Sequence, residues 1–283
     1  MDKARLNALK QTAVACRLNV LRMVRASGHG HVGGALSAMD IVTALYFYQM
    51  KLDPRNPEWA GRDRFVLSAG HKCLCQYAAL AERGFFPKTV LDSYGSLDSR
   101  IPGHPDMHKL PGIEANTGSL GHGLSISLGM ALGLRLDGSD RRVYTLLGDG
   151  ELAEGSNWEA AAAAAQHKAD NLVLFIDNNG LQISGRVDEV MSFRPIAAHF
   201  AAFGWATKEI DGNSMEQIVA ALDELPLCAG KPTAIVCHTI KAKGLPFGEN
   251  QVAFHFWKAN EAQLRQAEEA LAAEAAALRE EAI

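Results

Sequence analysis

Asp149 stands between two glycines at the end of an apolar run, Val143-Tyr144-Thr145-Leu146-Leu147. Thirty residues on, Asn179 follows a second apolar run, Leu172-Val173-Leu174-Phe175-Ile176. A carboxylate and an amide carbonyl are hard oxygen donors. A cation such as Mg²⁺ collects about six oxygens, takes only one or two carboxylates from protein and draws the rest from water and phosphates. One Asp, one Asn and a nearby peptide carbonyl would leave room for two phosphate oxygens, so the pair points to a divalent ion that clamps a diphosphate. Gly148 and Gly150 let the backbone turn sharply and come close to a ligand. Either dipeptide alone reads as a turn or a loop. Placed at the ends of two strands on one edge of a parallel sheet, where open α/β sheets bind ligands, they read as a site.

The elements that must position this pair follow from periodicity. The alanine-rich segment 156–168 is a strong helix former, and Ser156 and Glu159 have the spacing of a capping box, which gives strand, helix, strand. Upstream, residues 2–26 repeat apolar positions at steps of three and four (Leu6, Leu9, Ala13, Cys16, Val20, Val24) and read as an amphipathic helix. The glycine- and histidine-rich stretch Ser27–Gly34 reads as a loop that lets imidazole and backbone approach a ligand, with a helix over about 37–50 after it. Arg62–Ser68 reads as a strand tipped by Gly70-His71, followed by a helix over 71–83 whose free N–H groups would face anions. Turn residues dominate 95–105, around His104. Segment 119–136 carries Gly121, Gly123, Ser125, Gly129 and Ala131 and reads as a buried helix. Further on come a strand over 203–213, a helix over 214–225 and a strand over 232–238. A charged helix over 259–281 follows, with Leu264, Leu271 and Leu278 in a stripe. The expectation is an α/β, three-layer αβα fold with a mainly parallel sheet flanked by helices, residues 1–258 forming the domain and 259–283 a helix packed on it or on a partner.

Composition narrows the classes. The chain has 283 residues, 48% hydrophobic, with a net charge of −4. That supports a sizeable core and gives no reason to expect nucleic acid. No apolar run approaches the roughly 20 residues of a membrane span, and Met1-Asp2-Lys3-Ala4-Arg5 lacks a signal-peptide pattern. The five cysteines read as reduced thiols, most of them packed, in a cytoplasmic protein.

The motif Gly148-Asp149-Gly150, with Glu154-Gly155 after it and Asn179 thirty residues on, resembles the thiamine-diphosphate motif in its transketolase form. The similarity continues from about residue 15 to 258, through Arg62-Asp63-Arg64-Phe65 to Gly70-His71, Pro102-Gly103-His104-Pro105 and Thr117-Gly118-Ser119-Leu120-Gly121. It implies thiamine diphosphate as cofactor with Mg²⁺ or Ca²⁺, the ion held by Asp149, the side chain of Asn179 and the carbonyl of Leu181, with Asn178 as the alternative amide. His71, Gly118, Leu120, Gly150 and His255 would bind the cofactor, and Ile183 would pack on its thiazolium ring. His31, His104 and His255 would handle protons at the substrate, and Glu154 would join a carboxylate network at a subunit contact. Three features depart from the pattern: Val32 replaces a proline after His31, His29 offers a second register, and Phe256-Trp257 replace the glycine that usually follows His255.

A complete transketolase is more than twice this length, and the resemblance covers only the diphosphate-binding half. It therefore implies one subunit of a split enzyme, active with a separately encoded pyrimidine-binding subunit in a heterotetramer. That assembly would transfer a two-carbon ketol unit from a ketose to an aldose, as sugars or sugar phosphates. The competing readings are the α subunit of a 2-oxo acid dehydrogenase, which uses the same cofactor motif, and a non-catalytic half that keeps the fold.

Overall fold

The structure is a computed structural model and describes residues 1–281. Its centre is a five-stranded sheet: β1 Arg64–Leu67, β2 Val143–Gly148, β3 Leu172–Asn178, β4 Ala206–Asp211 and β5 Thr233–His238. The order is β1-β2-β3-β5-β4 and every pairing is parallel, with Gly148 opposite Asp177. β2 and β3 are buried along their whole length, which is why both read as unbroken apolar runs rather than alternating ones. Alternation still governs which face each residue serves. Tyr144, Leu146, Val173 and Phe175 enter one core, and Val143, Leu147, Leu172, Leu174 and Ile176 the other.

Helices cover both faces. On the first lie α1 Lys3–Ser27, α2 Val32–Ser37, α3 Met39–Ala44 and α4 Cys73–Arg83. On the second lie α5 Gly123–Leu136, α6 Gly155–Gln166 and α7 Ile196–Ala202. Helix α8, Met215–Asp223, and the long α9, Glu261–Glu280, return to the first face, where Leu264 and Leu271 are buried and Leu278 is partly so. Asp2 and Ser214 cap α1 and α8 by accepting backbone N–H bonds. The expected three-layer fold with a parallel sheet is present.

Three local expectations are corrected. The helix after His31 begins at Val32, not near 37, because Gly33 and Gly34 are packed rather than looped: a Cβ on either would fall within 3 Å of the Phe254 carbonyl or the Lys72 side chain. Ser156 and Glu159 form no capping box. Glu154 takes the N-cap position of α6 without a side-chain bond, and the Ser156 hydroxyl donates instead to the Gly121 carbonyl at 2.9 Å. Helix α5 is not wholly buried. Leu124, Ser127, Leu128 and Ala131 face the core, whereas Ser125 and Gly129 lie on the surface and Leu136 is 88% exposed. Its small residues therefore face outward as well as inward.

Candidate active site

In a parallel sheet all C-terminal strand tips share one edge. Here that edge carries Gly70-His71 after β1, Asp149 after β2, Asn179 after β3 and Lys241 after β5. His71, Asp149, Asn179 and Lys241 line a single cavity of about 250 Å³, together with His31, Gly118, Leu120, Gly150, Leu181, Ile183 and His255. Most residues singled out from sequence therefore converge; His104 packs on the lining residue Gly118 without lining the cavity itself, and Glu154 does not line it.

Asp149 is buried. Its Oδ1 accepts the Gly150 N–H at 2.9 Å and its Oδ2 the Gly180 N–H at 2.6 Å, which ties the two strand tips directly together. Burial and the neighbouring Asp177 charge push its carboxyl up to about 6, against the pull of Lys72 and those two amides. A carboxylate left short of positive charge in this way is a place that favours a cation. The Asn179 Oδ1 accepts the Leu181 N–H at 3.1 Å, and its Nδ2 donates to Ser37 Oγ and Asp177 Oδ2, both at 3.2 Å. Among the described residues, no three His, Cys, Asp or Glu side chains form a group that could hold a metal ion. The donors offered here are a carboxylate, an amide and a peptide carbonyl, and oxygen-only donors suit Mg²⁺ or Ca²⁺. Asn178, the alternative amide, places its Nδ2 3.2 Å from His238 Nδ1 and does not line the cavity.

Two lysines complete the site, and the sequence reading assigned neither. Lys72 is buried and its ammonium lies 2.6 Å from Asp177, a carboxylate with no exposed side-chain surface. Burial is the largest single influence and lowers the Lys72 pKa, but the charge and hydrogen bond of Asp177, with the charges of Asp149 and Glu151, together outweigh it and the net shift is upward. Lys241, 1% exposed, donates to the Leu181 carbonyl at 2.8 Å and lies 3.2 Å from His255 Nδ1. Burial, with Lys72 nearby, lowers its pKa to about 8. Their signal was present: one lysine follows His71 directly, and the other follows a buried strand by three positions. Gln182 also lines the cavity and buries its Nε2 without a partner. Two ammonium groups, an unpartnered amide donor and imidazole N–H groups are what a diphosphate bound beside the cation would accept from, so the residues present fit thiamine diphosphate and its ion.

Four histidines gather at the mouth. The His31 ring centroid lies 5.4 Å from that of His71, 5.6 Å from His255 and 6.3 Å from His104. His104 presses on the backbone of Gly118, whose φ is +139° and where a Cβ would fall 2.7 Å from the imidazole, so only glycine fits. Burial lowers the pKa of all four, His71 to about 2 and His255 to about 4, with Lys72 and Lys241 respectively adding repulsion. Each ring is thus neutral near pH 7 and keeps one N–H donor and one lone pair. His29 is exposed and stacks on Phe256 at 5.2 Å, so of the two registers it is His31 that reaches the cavity. Phe256, 39% exposed, also packs edge-on against His31 at 4.9 Å.

Glu154 and Ile183 lie outside any core. Glu154 is exposed at the start of α6, and Ile183 is 69% exposed on the cavity rim. The buried acid of this loop is instead Glu151, which the sequence reading passed over. Its carboxylate accepts from the Ser68 hydroxyl and from the N–H groups of Gly121 at 3.0 Å and Gly148 at 3.1 Å. It thereby joins the tips of β1 and β2 to the turn that carries Gly118 and Leu120.

A family model described as transketolase, thiamine diphosphate binding domain, matches residues 8–280. The 6-deoxy-6-sulfo-D-fructose transketolase subunit SqwG of Clostridium sp. (strain MSTE9) is 42% identical over 263 residues, 90% of this chain and 96% of that one. An apulose-4-phosphate transketolase subunit of Phocaeicola vulgatus is 43% identical over 239 residues, 84% of this chain and 85% of that one. Among solved structures, the transketolase of Campylobacter jejuni superposes with a TM-score of 0.87 at 32% identity; the match covers 96% of this chain and 43% of that one.

Proposed function

From the premise that this chain belongs to the transketolase family, as its thiamine-diphosphate-binding domain, we propose that it is the diphosphate-side subunit of a two-component transketolase. It transfers a two-carbon ketol unit from a ketose to an aldose. The observation that carries this reading is the joining of Asp149 to Gly180 beneath a cluster of neutral histidines: a cation and diphosphate site with proton-handling groups at its mouth. The relatives covered almost end to end are named as subunits, which supports a separately encoded partner; in this reading the partner carries the pyrimidine side and the two form a heterotetramer.

Asp149, Asn179 and the Leu181 carbonyl hold Mg²⁺ or Ca²⁺. His71 and Lys241 donate to the diphosphate beside it, and Gly118, Leu120 and Gly150 let the backbone close on the cofactor. When bound, thiamine diphosphate supplies a carbon nucleophile and an electron sink for the carbon–carbon bond that breaks. His31, His104 and His255 accept and return protons at the substrate hydroxyls, a task suited to imidazoles that stay neutral near pH 7. Ile183 borders the thiazolium ring from the rim, and Glu154 meets the partner subunit. Free cysteines, four of them buried, are in keeping with a cytoplasmic enzyme. Among the described residues, no helix is long and apolar enough to cross a membrane.

The test is reconstitution with the co-encoded partner, thiamine diphosphate and Mg²⁺. Exchange of two carbons between a ketose and an aldose is expected only with all components present. Release of CO₂ from a 2-oxo acid, or no turnover with any sugar pair, would overturn the reading.

A further inference from the structure

An amide side chain presents an oxygen to a cation only if something forbids its flipped orientation, and the two ends of Asn179 are nearly isosteric. In this chain the choice is made from behind. The two Nδ2 protons of Asn179 have two acceptors, Ser37 Oγ and Asp177 Oδ2, each at 3.2 Å. Ser37 can only accept there, because its single proton has two other acceptors, Asp177 Oδ2 at 2.6 Å and the Gly34 carbonyl at 3.1 Å. Asp177 Oδ2 also takes the Lys72 ammonium at 2.6 Å, and its Oδ1 takes the Thr239 hydroxyl. Each of these groups donates to Asp177, so its carboxylate has only acceptor capacity to offer Asn179. On the other side, the Leu181 N–H points at Asn179 Oδ1 from 3.1 Å. Flipping the amide would set oxygen against carboxylate at one end and N–H against N–H at the other.

We propose that Asp177 is a positioning residue for the cation: it selects the Asn179 orientation that turns the side-chain oxygen toward the metal, and Lys72 secures it in that task. This rests on the reading of Asp149, Asn179 and Leu181 as the cation's ligands. Lys72 follows His71 in the turn after β1, whereas Asp177 sits in β3. The buried pair therefore couples the histidine turn to the ion's amide ligand across the intervening strand β2. A neutral amide at 177 would offer an N–H₂ as readily as an oxygen, and Asn179 would lose its bias.

The experiment titrates Mn²⁺ by electron paramagnetic resonance into the complex formed with the partner chain, with thiamine diphosphate in excess. Asp177→Asn is expected to weaken Mn²⁺ binding by about tenfold or more, the loss typical when a residue supporting a metal ligand is changed. Adding Asn179→Asp to that variant restores an oxygen whichever way the side chain turns, and is expected to recover affinity to within about threefold of the parent. Unchanged binding in Asp177→Asn, or failure of the second substitution to rescue it, would overturn the proposal; the latter would mark Asp177 as merely structural. If Asp177→Asn does not fold, Ser37→Ala decides, because it removes one of the two acceptors and leaves the Lys72–Asp177 pair intact. A loss of a few fold is expected, and parental affinity would overturn the proposal. A parent complex that binds no Mn²⁺ at all would instead refute the underlying metal assignment.

Discussion

His71 and His255 come from distant parts of the chain, yet their rings stack with centroids 5.2 Å apart and planes 29° apart. Protonating either ring would place a positive charge against its neighbour and against Lys72 or Lys241. The stack is thus stable as a pair of neutral imidazoles, the form that both donates to a phosphate oxygen and accepts a hydroxyl proton.

That relationship predicts how stability responds to acid. The His255 pKa is about 4 in the folded chain, below its ordinary value of 6.5. Between those values the unfolded chain binds more protons, so stability falls as pH drops through that window. His255→Gln removes this contribution. Thermal melts of the free chain from about pH 7 to about pH 5 should show a shallower fall in Tm for the variant than for the parent. Equal slopes would mean that the ring is not held neutral.

Asp149→Asn keeps the shape of the side chain but removes the charge that a cation would balance. Cation affinity in the reconstituted complex should fall beyond the roughly 10–100-fold range seen when only supporting residues are changed. The free chain should keep its fold by circular dichroism: the new amide N–H₂ loses one of the two bonds from Gly150 and Gly180, but a charge that burial disfavours goes with it. Calorimetry with Mg²⁺ and thiamine diphosphate measures the first effect, and retained affinity would sink the ligand assignment.

Gly70→Ala tests how closely the turn after β1 approaches the cofactor-lining segment. A Cβ there would fall 2.6 Å from the Thr117 carbonyl carbon and 2.7 Å from the Gly118 nitrogen, both backbone atoms with little freedom to yield. Overpacking of this kind costs about 1–3 kcal/mol. Urea unfolding should register that loss, and the KM for cofactor should rise with it, since Gly118 is the segment displaced.

Phe256→Gly tests the departure from the family pattern. The ring packs against both His29 and His31, and His31 lines the cavity. Removing it should raise kcat/KM for larger aldose acceptors relative to smaller ones, chiefly through KM. A uniform loss across acceptors would show instead that the ring serves to hold His31 in place.

Much of the site was legible in the sequence because its determinants are local. A buried strand reads as an apolar run, and a polar residue or a glycine just beyond it marks the tip. In a parallel sheet those tips must share an edge, so Asp149, Asn179 and His71 could be placed together before any coordinates. His31, His104 and His255 joined them through the family resemblance. What stayed hidden depends on residues that meet only after folding. Lys72 and Lys241 stand near strand tips in the sequence, but only the approach of Asp177 and the Leu181 carbonyl shows that both are buried in the site. Glu151 is three residues from a more conspicuous acid, and only the approach of Ser68 and the Gly121 turn identifies it as the buried one.

The sequence by itself determined which groups could do chemistry, and on which edge, because strand period and glycine placement are written in neighbouring residues. Tertiary structure decided what those groups are chemically. Burial set the histidines neutral and raised Asp149. The hydroxyl of Ser37, from a distant segment, joins the neighbouring Asp177 carboxylate in setting the orientation of the Asn179 amide. Protonation and amide orientation depend on the field and hydrogen-bond partners at a point in space, and neither exists for a residue until the rest of the chain has packed around it.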